Sequence, residues 1–350
     1  MKRTMNGFYI GISGINAVDN PGPGIGVARS LREDTDLGAK IVGLAYDALE
    51  PGVYMDWIVG KSFILPYPSS DGDALVERLL YIKRNHGLDV VIPNLDAELP
   101  LYIKHAPMLA DNGIRTFLPD MRQFRLRGKD RLCDIASRIN ISLPLTKVVN
   151  SVDELLRAIE ELGLPVMVKG IFYKASKSYT AAEAVAHFHE LVAEWGYPVI
   201  LQQVVAGDEM NVVGLGDGEG NSLGMVGIKK LSITALGKIW TGVTVKNARM
   251  LAATENFIHE FKWRGPFEME CIVNGDEVFL IEINPRFPAW SYFATGVGIN
   301  LPSRLVRRAF EMPVPPPPRY EAGKLFVRYT YELVTDMTNF KKAVTRGETP

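Results

Sequence analysis

The residues best suited to chemistry lie between Gly265 and Arg286, in the segment GPFEMECIVNGDEVFLIEINPR. An Asn-Gly pair at 274–275 separates two short apolar runs, which predicts a β-hairpin. On the second run, the two-residue alternation of a strand places Glu282, Asn284 and Arg286 on one face. Carboxylate and amide oxygens beside an arginine favour a site for metal-bound phosphate.

On the first run, Glu268 and Glu270 share a face, and a three-residue connection would bring that face against Glu282 and Asn284. Like charges opposite one another are unfavourable unless a cation neutralises them. Mg²⁺ prefers such oxygens and completes its octahedron with phosphate and water, so magnesium fits this set better than zinc. The alternative is a solvated acidic hairpin that happens to end in an arginine.

The composition is that of an ordinary soluble enzyme with two or more packed domains. The 350 residues include 39 Lys+Arg and 40 Asp+Glu, and 47% are hydrophobic. The near-neutral charge argues against a nucleic-acid-binding protein. Cys133 and Cys271 are too few and too far apart for a disulfide framework or a zinc cluster. No run of about 18 apolar residues and no export signal is visible, so we expect a cytoplasmic protein that does not enter membranes.

The first part of the chain predicts an α/β domain with a parallel sheet, because short apolar runs alternate with amphipathic segments. The predicted strands are residues 7–13, 40–46 and 89–93, and the predicted helices are residues 25–33 and 73–85. After an Arg-rich piece at 121–131 and a break at Leu143-Pro144, the pattern changes to α+β. There we expect helices at 152–162, 181–195 and 301–312, strands at 165–169 and 199–205, hairpins through Glu282, and one strand within 324–333.

Taken together, these motifs resemble the ATP-grasp superfamily over about residues 7–312. The resemblance is closest to the carboxylate-amine ligases, whose core is similar to biotin carboxylase and to the large chain of carbamoyl phosphate synthase. It implies an ATP-grasp fold with nucleotide between two lobes. The implied division is a preceding α/β domain at 1–120, a small lobe at 121–200, a large lobe with the metal site at 201–312, and a Pro-rich break and tail at 313–350.

The resemblance also implies roles for residues of the hairpin. IEINPR at 281–286 is similar to the family's metal-binding strand, and GPFEMEC is similar to its partner strand. The implied ligands for Mg²⁺ or Mn²⁺ are Glu270, Glu282 and Asn284, with Glu268 as a neighbour. Arg286 is implied to act on the transferred phosphoryl group.

The implied ATP site draws on three further motifs. Lys129 in RGKDRL and Lys169 in LPVMVKG match the lysines that contact the nucleotide phosphates, and Lys169 is also a catalytic candidate. VILQQVVAGDE at 199–209 resembles the segment that contacts the adenine edge and the ribose. Gln203, Val205 and Glu209 occupy the corresponding positions.

One departure from the family lies after Lys169, where a glycine-rich loop usually covers the phosphates. This chain has IFYKASKSYT there, so we hypothesise that the side chains of Lys174, Ser176, Lys177 and Ser178 form the cover instead.

Other motifs have simpler explanations. PGPGIG at 21–26 lacks the spacing of a dinucleotide fingerprint. In IPNLDAEL, Asn94, Asp96 and Glu98 follow a strand, where ligands of parallel sheets bind, although Asp96 could equally cap a helix. In FPAWSYF, Phe287 and Trp290 could line an acceptor pocket or pack in the core.

The activity that the resemblance implies is ADP-forming ligation of a carboxylate to an amine through an acylphosphate. The implied partners are small-molecule or peptide acids and amines, and a homodimer is possible. Three alternatives remain open: activation of bicarbonate or carbamate as in carbamoyl phosphate synthase, phosphorylation without amide formation, and a nucleotide-binding module without turnover.

Overall fold

The computed structural model describes residues 7–129, 131–170, 175–330 and 332–349. The chain forms two compact units, each built from separate stretches of sequence. The first takes residues 1–125, 211–269 and 283–350, and the second takes residues 126–210 and 270–282. No helix in the described ranges combines the length and apolarity needed to cross a bilayer.

The first unit begins with a four-stranded parallel sheet in the order β3-β2-β1-β4, which confirms the α/β prediction. Its strands are β1 (Tyr9–Ile12), β2 (Lys40–Ala45), β3 (Lys61–Ile64) and β4 (Val90–Ile92). Its helices are α1 (Pro23–Glu33), α2 (Gly72–His86) and α3 (Leu99–Asp111), followed by the short α4 (Met121–Arg125). The sequence did not predict β3 or α3.

The glycines before and within α1 serve packing. A Cβ on Gly24 would lie 2.2 Å from the carbonyl oxygen of Ser13, so only glycine fits at this approach. The Gly24 N–H donates to the Gly14 carbonyl at 2.8 Å, and Pro23 occupies the first turn of α1, where proline is well tolerated.

A buried polar cluster lies at the carboxyl ends of β1, β2 and β4. Glu98 has no exposed surface, and its carboxylate accepts hydrogen bonds from the hydroxyls of Ser13 and Tyr46. It also accepts from the backbone N–H groups of Asn94 and Leu95, at 2.8 and 2.9 Å. These bonds fix the loop that precedes α3, so we assign Asn94 and Glu98 a structural role in this edge of the sheet.

Glu50 lies beside this cluster and is 8% exposed. Its Oε1 accepts from the N–H groups of Tyr46 and Asp47, at 2.7 and 3.3 Å, whereas its Oε2 is buried without a hydrogen-bond partner. Burial raises the pKa of the Glu50 carboxyl to about 7, and the charge of Glu98 acts in the same direction.

The free energy of unfolding should therefore fall between about pH 4.5 and pH 7, because the folded protein retains a proton on Glu50 that the unfolded chain releases near 4.5. The expected loss is about 3 kcal/mol. Glu50→Gln should remove this part of the pH dependence, as measured by urea unfolding at pH 5 and pH 8. Glu77→Gln, on the exposed face of α2, is the control. Equal pH dependence in Glu50→Gln and wild type would contradict the assignment.

A second sheet has six strands in the order β13-β12-β9-β10-β11-β14. They are β9 (Asp208–Asp217), β10 (Ser222–Ile233), β11 (Ile239–Val245), β12 (Arg264–Asn274), β13 (Glu277–Asn284) and β14 (Leu325–Val327). Further helices of the first unit are α8 (Ala248–Phe261), α9 (Tyr292–Gly296), α10 (Leu301–Ala309) and α11 (Met337–Arg346). The hairpin strands and a shorter tail strand confirm the predictions there, whereas α8 and α11 were not predicted. Strands β9, β12 and β13 each continue from one unit into the other along the chain.

The second unit has a four-stranded sheet in the order β5-β8-β6-β7. Its strands are β5 (Thr146–Val149), β6 (Val166–Lys169), β7 (Ala175–Ser178) and β8 (Val199–Gln203), and its helices are α5 (Leu132–Arg138), α6 (Val152–Leu162) and α7 (Ala181–Trp195). Buried residues of α6, α7 and the sheet form one apolar core, which includes Leu155, Phe188 and Leu201. Both α6 and α7 have the predicted bounds.

Candidate active site

Lys169 is the last residue of β6, and strand pairing on both sides fixes its position opposite Ile200 and Ala175. The side chain is 9% exposed, and its Nζ donates to Oε1 of Gln202 at 2.6 Å. The pKa of this ammonium is lowered from 10.5 to about 8, mainly by burial and next by the positive charge of Lys129. The Lys169 ammonium is therefore fixed by a hydrogen bond, while burial disfavours its charged form.

Three carboxylates of the second unit act on the same ammonium. Glu282, Glu270 and Glu209 each raise the pKa of Lys169 and so oppose the effect of burial. Glu282 also raises the pKa of Lys129, which burial lowers. We call Lys129, Lys169, Glu209, Glu270 and Glu282 the lysine–glutamate cluster, because the charges of its members are close enough to influence one another.

Lys129 is held through a backbone contact at the end of β6. Its Nζ donates to the carbonyl oxygen of Gly170 at 2.6 Å, immediately after Lys169. The sequence motifs RGKDRL and LPVMVKG, which lie forty residues apart, therefore deliver their ammonium groups to the same strand end.

The two cluster carboxylates from the hairpin lie on strands whose register is fixed within the second unit. The N–H of Ser142 donates to the Val278 carbonyl, and the Leu280 N–H donates to the Ser142 carbonyl, both at 2.9 Å. Gly275 in the turn has a φ of +59°, which suits glycine. The connection between β12 and β13 has two residues, so the predicted three-residue connection is wrong.

The three proposed nucleotide-contacting residues lie at the end of β8 and the start of β9. The N–H of Gln203 donates to the Leu145 carbonyl at 2.8 Å, and Glu209 is an exposed residue of β9. Val205 lies between the strands and is half-buried. Within the described ranges, its N–H and C=O make no backbone hydrogen bond. An open donor and acceptor on extended backbone could pair with the edge of a base.

In the first unit, Glu268 is the centre of a second group, which we call the Glu268 network. Its Oε1 accepts from Nδ2 of Asn211 and from Nε1 of Trp290, both at 2.7 Å. Its Oε2 accepts from Nδ2 of Asn284 at 3.3 Å and from Nη1 of Arg286 at 3.4 Å. Glu268 and Asn284 are 5% and 6% exposed, so these bonds lie inside the unit.

Arg286 lies past the end of its strand. Strand β13 ends at Asn284, and the Arg286 N–H donates to the Asn284 carbonyl at 2.9 Å around Pro285. Arg286 therefore lies beyond the strand, although its side chain reaches the same Glu268 oxygen as that of Asn284. Its direction is set by ion pairs with Glu268 and with Asp96, whose Oδ2 is 3.4 Å from Nε.

Asp96 forms an ion pair with Arg286 and does not cap a helix. Helix α3 begins at Leu99 after Glu98 and has no side-chain cap, so capping by Asp96 is wrong. Phe287 and Trp290 are 0% and 2% exposed and pack in the core of the first unit, as one of the two interpretations of FPAWSYF predicted.

The hypothesis of a side-chain cover over the phosphates is only partly testable, because Lys174 lies outside the described residues. Ser176, Lys177 and Ser178 belong to β7. Ser178 is fully buried and lies 3.0 Å from Nδ1 of His187, so its hydroxyl cannot serve as part of a cover.

Sequence reasoning missed Arg328. Its Nη1 donates to the Pro21 carbonyl at 3.2 Å, and Nη2 donates to the Ala289 carbonyl. Its Nε is buried without a partner, and no ion pair joins it to a carboxylate of the described ranges. Burial lowers the pKa of Arg328 to about 10. A single arginine in FVRYTY gives no sequence signal for this environment.

Two carboxylates of the second unit are oxygen donors of the kind that a hard divalent cation prefers. Glu270 and Glu282 are both half-buried. The described ranges contain no group of three or more His, Cys, Asp or Glu residues arranged for a metal. Two carboxylates fit an ion that takes its remaining ligands from other oxygens, such as phosphate and water.

Comparisons with known proteins agree with this geometry. Residues 142–289 match the model of the ATP-grasp domain family. A curated relative is the formate-dependent phosphoribosylglycinamide formyltransferase of Synechococcus sp., which is 31% identical over 118 residues. The match covers 33% of this chain and 28% of the relative, so it spans little more than a quarter of that protein.

Solved structures share the fold over most of the chain. An ADP complex of N5-carboxyaminoimidazole ribonucleotide synthetase has a TM-score of 0.68 at 16% identity, covering 90% of this chain and 80% of its own. The biotin carboxylase domain dimer of Hydrogenobacter thermophilus 2-oxoglutarate carboxylase, with MgADP, ADP and bicarbonate, has a TM-score of 0.65 at 18% identity. That similarity covers 86% of this chain and 69% of the neighbour.

A third neighbour is biotin carboxylase of Campylobacter jejuni in a complex with an ATP analogue. Its TM-score is 0.67 at 14% identity, and the similarity covers 88% of this chain and 72% of the neighbour. At such identities, the likeness establishes the fold. Residues 142–289 therefore match the ATP-grasp domain family, and the chain shares the fold of these solved structures.

Proposed function

We propose that this protein is an ATP-dependent, ADP-forming ligase that activates a carboxylate as an acylphosphate and joins it to an amine. The observation that carries the proposal is the lysine–glutamate cluster. In it, buried Lys169 and half-buried Lys129 lie within electrostatic reach of Glu282, and Glu270 and Glu209 also act on Lys169. The ATP-grasp match over 142–289 supports ATP as the source of the phosphoryl group.

Lys129 and Lys169 would bind the phosphates, since a compact ammonium suits a phosphate oxygen. The open backbone groups of Val205 would pair with the adenine edge beside Gln203, and exposed Glu209 would accept from the ribose hydroxyls. Glu270, Glu282 and Asn284 would hold Mg²⁺ or Mn²⁺. The bound cation would supply charge neutralisation at the phosphate oxygens.

In the proposed reaction, an oxygen of the substrate carboxylate attacks the γ-phosphorus of ATP, and the bond to the β-γ bridging oxygen breaks to release ADP. The resulting acylphosphate is attacked at carbon by a neutral amine, which forms the amide as phosphate leaves and the nitrogen loses a proton. The protein contributes positioning and positive charge, mainly through Lys169 and Arg286, and no protein nucleophile is needed.

The wider setting is also part of the proposal. We propose the division into a preceding domain at 1–120, lobes at 121–200 and 201–312, and a tail at 313–350. We also propose small-molecule or peptide acids and amines as substrates, a cytoplasmic location and a possible homodimer.

The function can be tested with an ADP-release screen that pairs amino acids and small carboxylates with amines in the presence of Mg²⁺, followed by mass analysis. An amide product that requires both substrates supports the ligase. Bicarbonate-stimulated ADP release without an amide would favour the second candidate, which is activation of bicarbonate. A structural neighbour that contains bicarbonate motivates this arm. A stable phosphorylated product, or ATP binding without turnover on any pair, would overturn the ligase assignment.

Arg328 leads to a prediction about the substrates. A half-buried guanidinium without a carboxylate partner is suited to an anionic group of the acid or the amine. Arg328→Met should raise the KM of the anion-bearing substrate about 10- to 100-fold, since a charge-assisted hydrogen bond contributes about 1.5–3 kcal/mol. Steady-state kinetics should show a KM for ATP within about twofold of wild type.

The control for Arg328→Met is Arg319→Met, which removes an exposed arginine from the same C-terminal segment. If Arg328→Met and Arg319→Met have the same KM for every substrate, Arg328 does not bind the anion.

A further inference from the structure

Glu268 is a buried carboxylate that is not among the proposed metal ligands, so its hydrogen bonds need another explanation. Glu268 lies on β12 two residues before Glu270, yet it is 5% exposed, and both of its oxygens accept two hydrogen bonds. A carboxylate oxygen that already accepts two hydrogen bonds has little remaining capacity for a cation. Glu268 is therefore unsuited to be a metal ligand, although it is an acidic residue beside the proposed site.

The charge of Glu268 determines how the side-chain amide of Asn284 is oriented. An ionised carboxylate only accepts hydrogen bonds, so the side chain of Asn284 must turn its NH₂ group toward Glu268. The amide oxygen of Asn284 then points away from Glu268. That oxygen is the only atom of the side chain that could coordinate Mg²⁺, so Glu268 selects the orientation in which Asn284 can act as a ligand.

The same carboxylate restrains Arg286. Glu268 engages Nη1, and Asp96 engages Nε, so two carboxylates contact two different nitrogens of the planar guanidinium. A guanidinium presents its donors in a fixed plane, so contacts at two of its nitrogens fix the direction of the remaining N–H bonds. Trp290 and Asn211, which donate to the other oxygen, hold Glu268 itself in place.

We propose that Glu268 is a positioning residue that orients the amide of Asn284 toward the metal and the guanidinium of Arg286 toward the transferred group. The inference rests on the proposed function for the identity of those ligands. Its geometric part, the orientation of Asn284 and Trp290 by Glu268, is independent of turnover. The competing explanation is that Glu268 acts only as a buried counter-charge for Arg286.

Two substitutions separate these explanations. Glu268→Gln keeps the size but replaces an acceptor oxygen by an NH₂ group, so two of the donors lose their partner. Glu268→Asp keeps the charge but withdraws it by one methylene group. A positioning role predicts that both variants lose function, whereas a counter-charge role predicts that Glu268→Asp remains close to wild type. Glu255→Gln, at an exposed position of α8, is the matched control.

The first readout is binding of Mn²⁺ in the presence of ADP, followed by electron paramagnetic resonance of the free ion. Glu268→Gln and Glu268→Asp should bind Mn²⁺ about 10- to 100-fold more weakly than wild type, the usual effect of losing a group that orients a metal ligand. Glu255→Gln should bind within about twofold. Wild-type affinity in both Glu268 variants would overturn the proposal, and a loss confined to Glu268→Gln would favour the counter-charge.

The second readout does not depend on metal or turnover. The indole N–H signal of Trp290, assigned with Trp290→Phe in a ¹⁵N spectrum, should move upfield in Glu268→Gln, because its hydrogen bond to a carboxylate is weakened. An unchanged signal would contradict the hydrogen-bond geometry. If wild-type protein binds Mn²⁺ and ADP but no acid–amine pair turns over, the ligase proposal fails while this inference stands.

Discussion

Glu282→Gln is expected to lower kcat at least about 100-fold while the protein remains folded and still binds nucleotide. Glu282 acts on both Lys129 and Lys169, so Glu282→Gln removes a proposed metal ligand as well as a charge that stabilises two ammonium groups. A preorganised charge contact of this kind contributes about 3 kcal/mol to the transition state, which corresponds to a rate factor of 10² or more. The measurement is steady-state ADP release with the substrate pair found by screening.

The matched control is Glu277→Gln, which changes an exposed glutamate on the same strand. It should retain turnover within about twofold, and both variants should unfold at similar denaturant concentrations. Wild-type kcat in Glu282→Gln would remove the lysine–glutamate cluster from the mechanism.

Lys169→Met is expected to lower kcat/KM for ATP at least about 100-fold and also to stabilise the protein. A pKa of about 8 instead of 10.5 corresponds to about 3 kcal/mol of unfavourable burial at neutral pH. Methionine removes the charge but leaves Oε1 of Gln202 without its donor, so the net gain should be about 2 kcal/mol. Urea unfolding at pH 7 measures the gain, and ADP-release kinetics measure the loss. Destabilisation by Lys169→Met would contradict the assigned burial cost.

The pH dependence provides a check on the same residue. In the wild type, the free energy of unfolding should rise between about pH 8 and 10.5, because the folded protein releases the Lys169 proton first. Over the same range, kcat/KM for ATP should fall, since the free enzyme loses the charge that binds phosphate. Lys169→Arg should keep its charge and lack this decline. A flat wild-type profile up to pH 10 would contradict a pKa of about 8.

Local sequence signals predicted β6, β8, α6 and α7 of the second unit, whereas β5 and β7 were not predicted. Ser151 and Thr180 accept hydrogen bonds from the N–H groups of Glu154 and Glu183, as a Ser/Thr-x-x-Glu pattern requires. These caps explain why the bounds of α6 and α7 could be predicted from the sequence. The Asn-Gly pair likewise located the turn between β12 and β13.

The residue environments that the sequence did not predict depend on contacts between residues that lie far apart along the chain. The sequence identified Glu268 only as a neighbour of the proposed metal ligands. Its hydrogen-bond partners Asn211 and Trp290 lie far from it along the chain, so no local pattern indicates them. Asp96 lies in a pattern that is typical of a helix cap, whereas in the structure it forms an ion pair with Arg286. Arg328 binds carbonyl groups of remote loops, and no local pattern encodes such contacts.

The discontinuity of the second unit has a practical consequence for anyone who wants to express that unit alone. A polypeptide of residues 126–210 would lack the 270–282 hairpin, leaving the backbone groups of Ser142 without the Val278 and Leu280 that they bond. Supplying the hairpin as a separate peptide, or splicing it onto the fragment through a short linker, would create a split reporter whose reassembly restores Glu270 and Glu282.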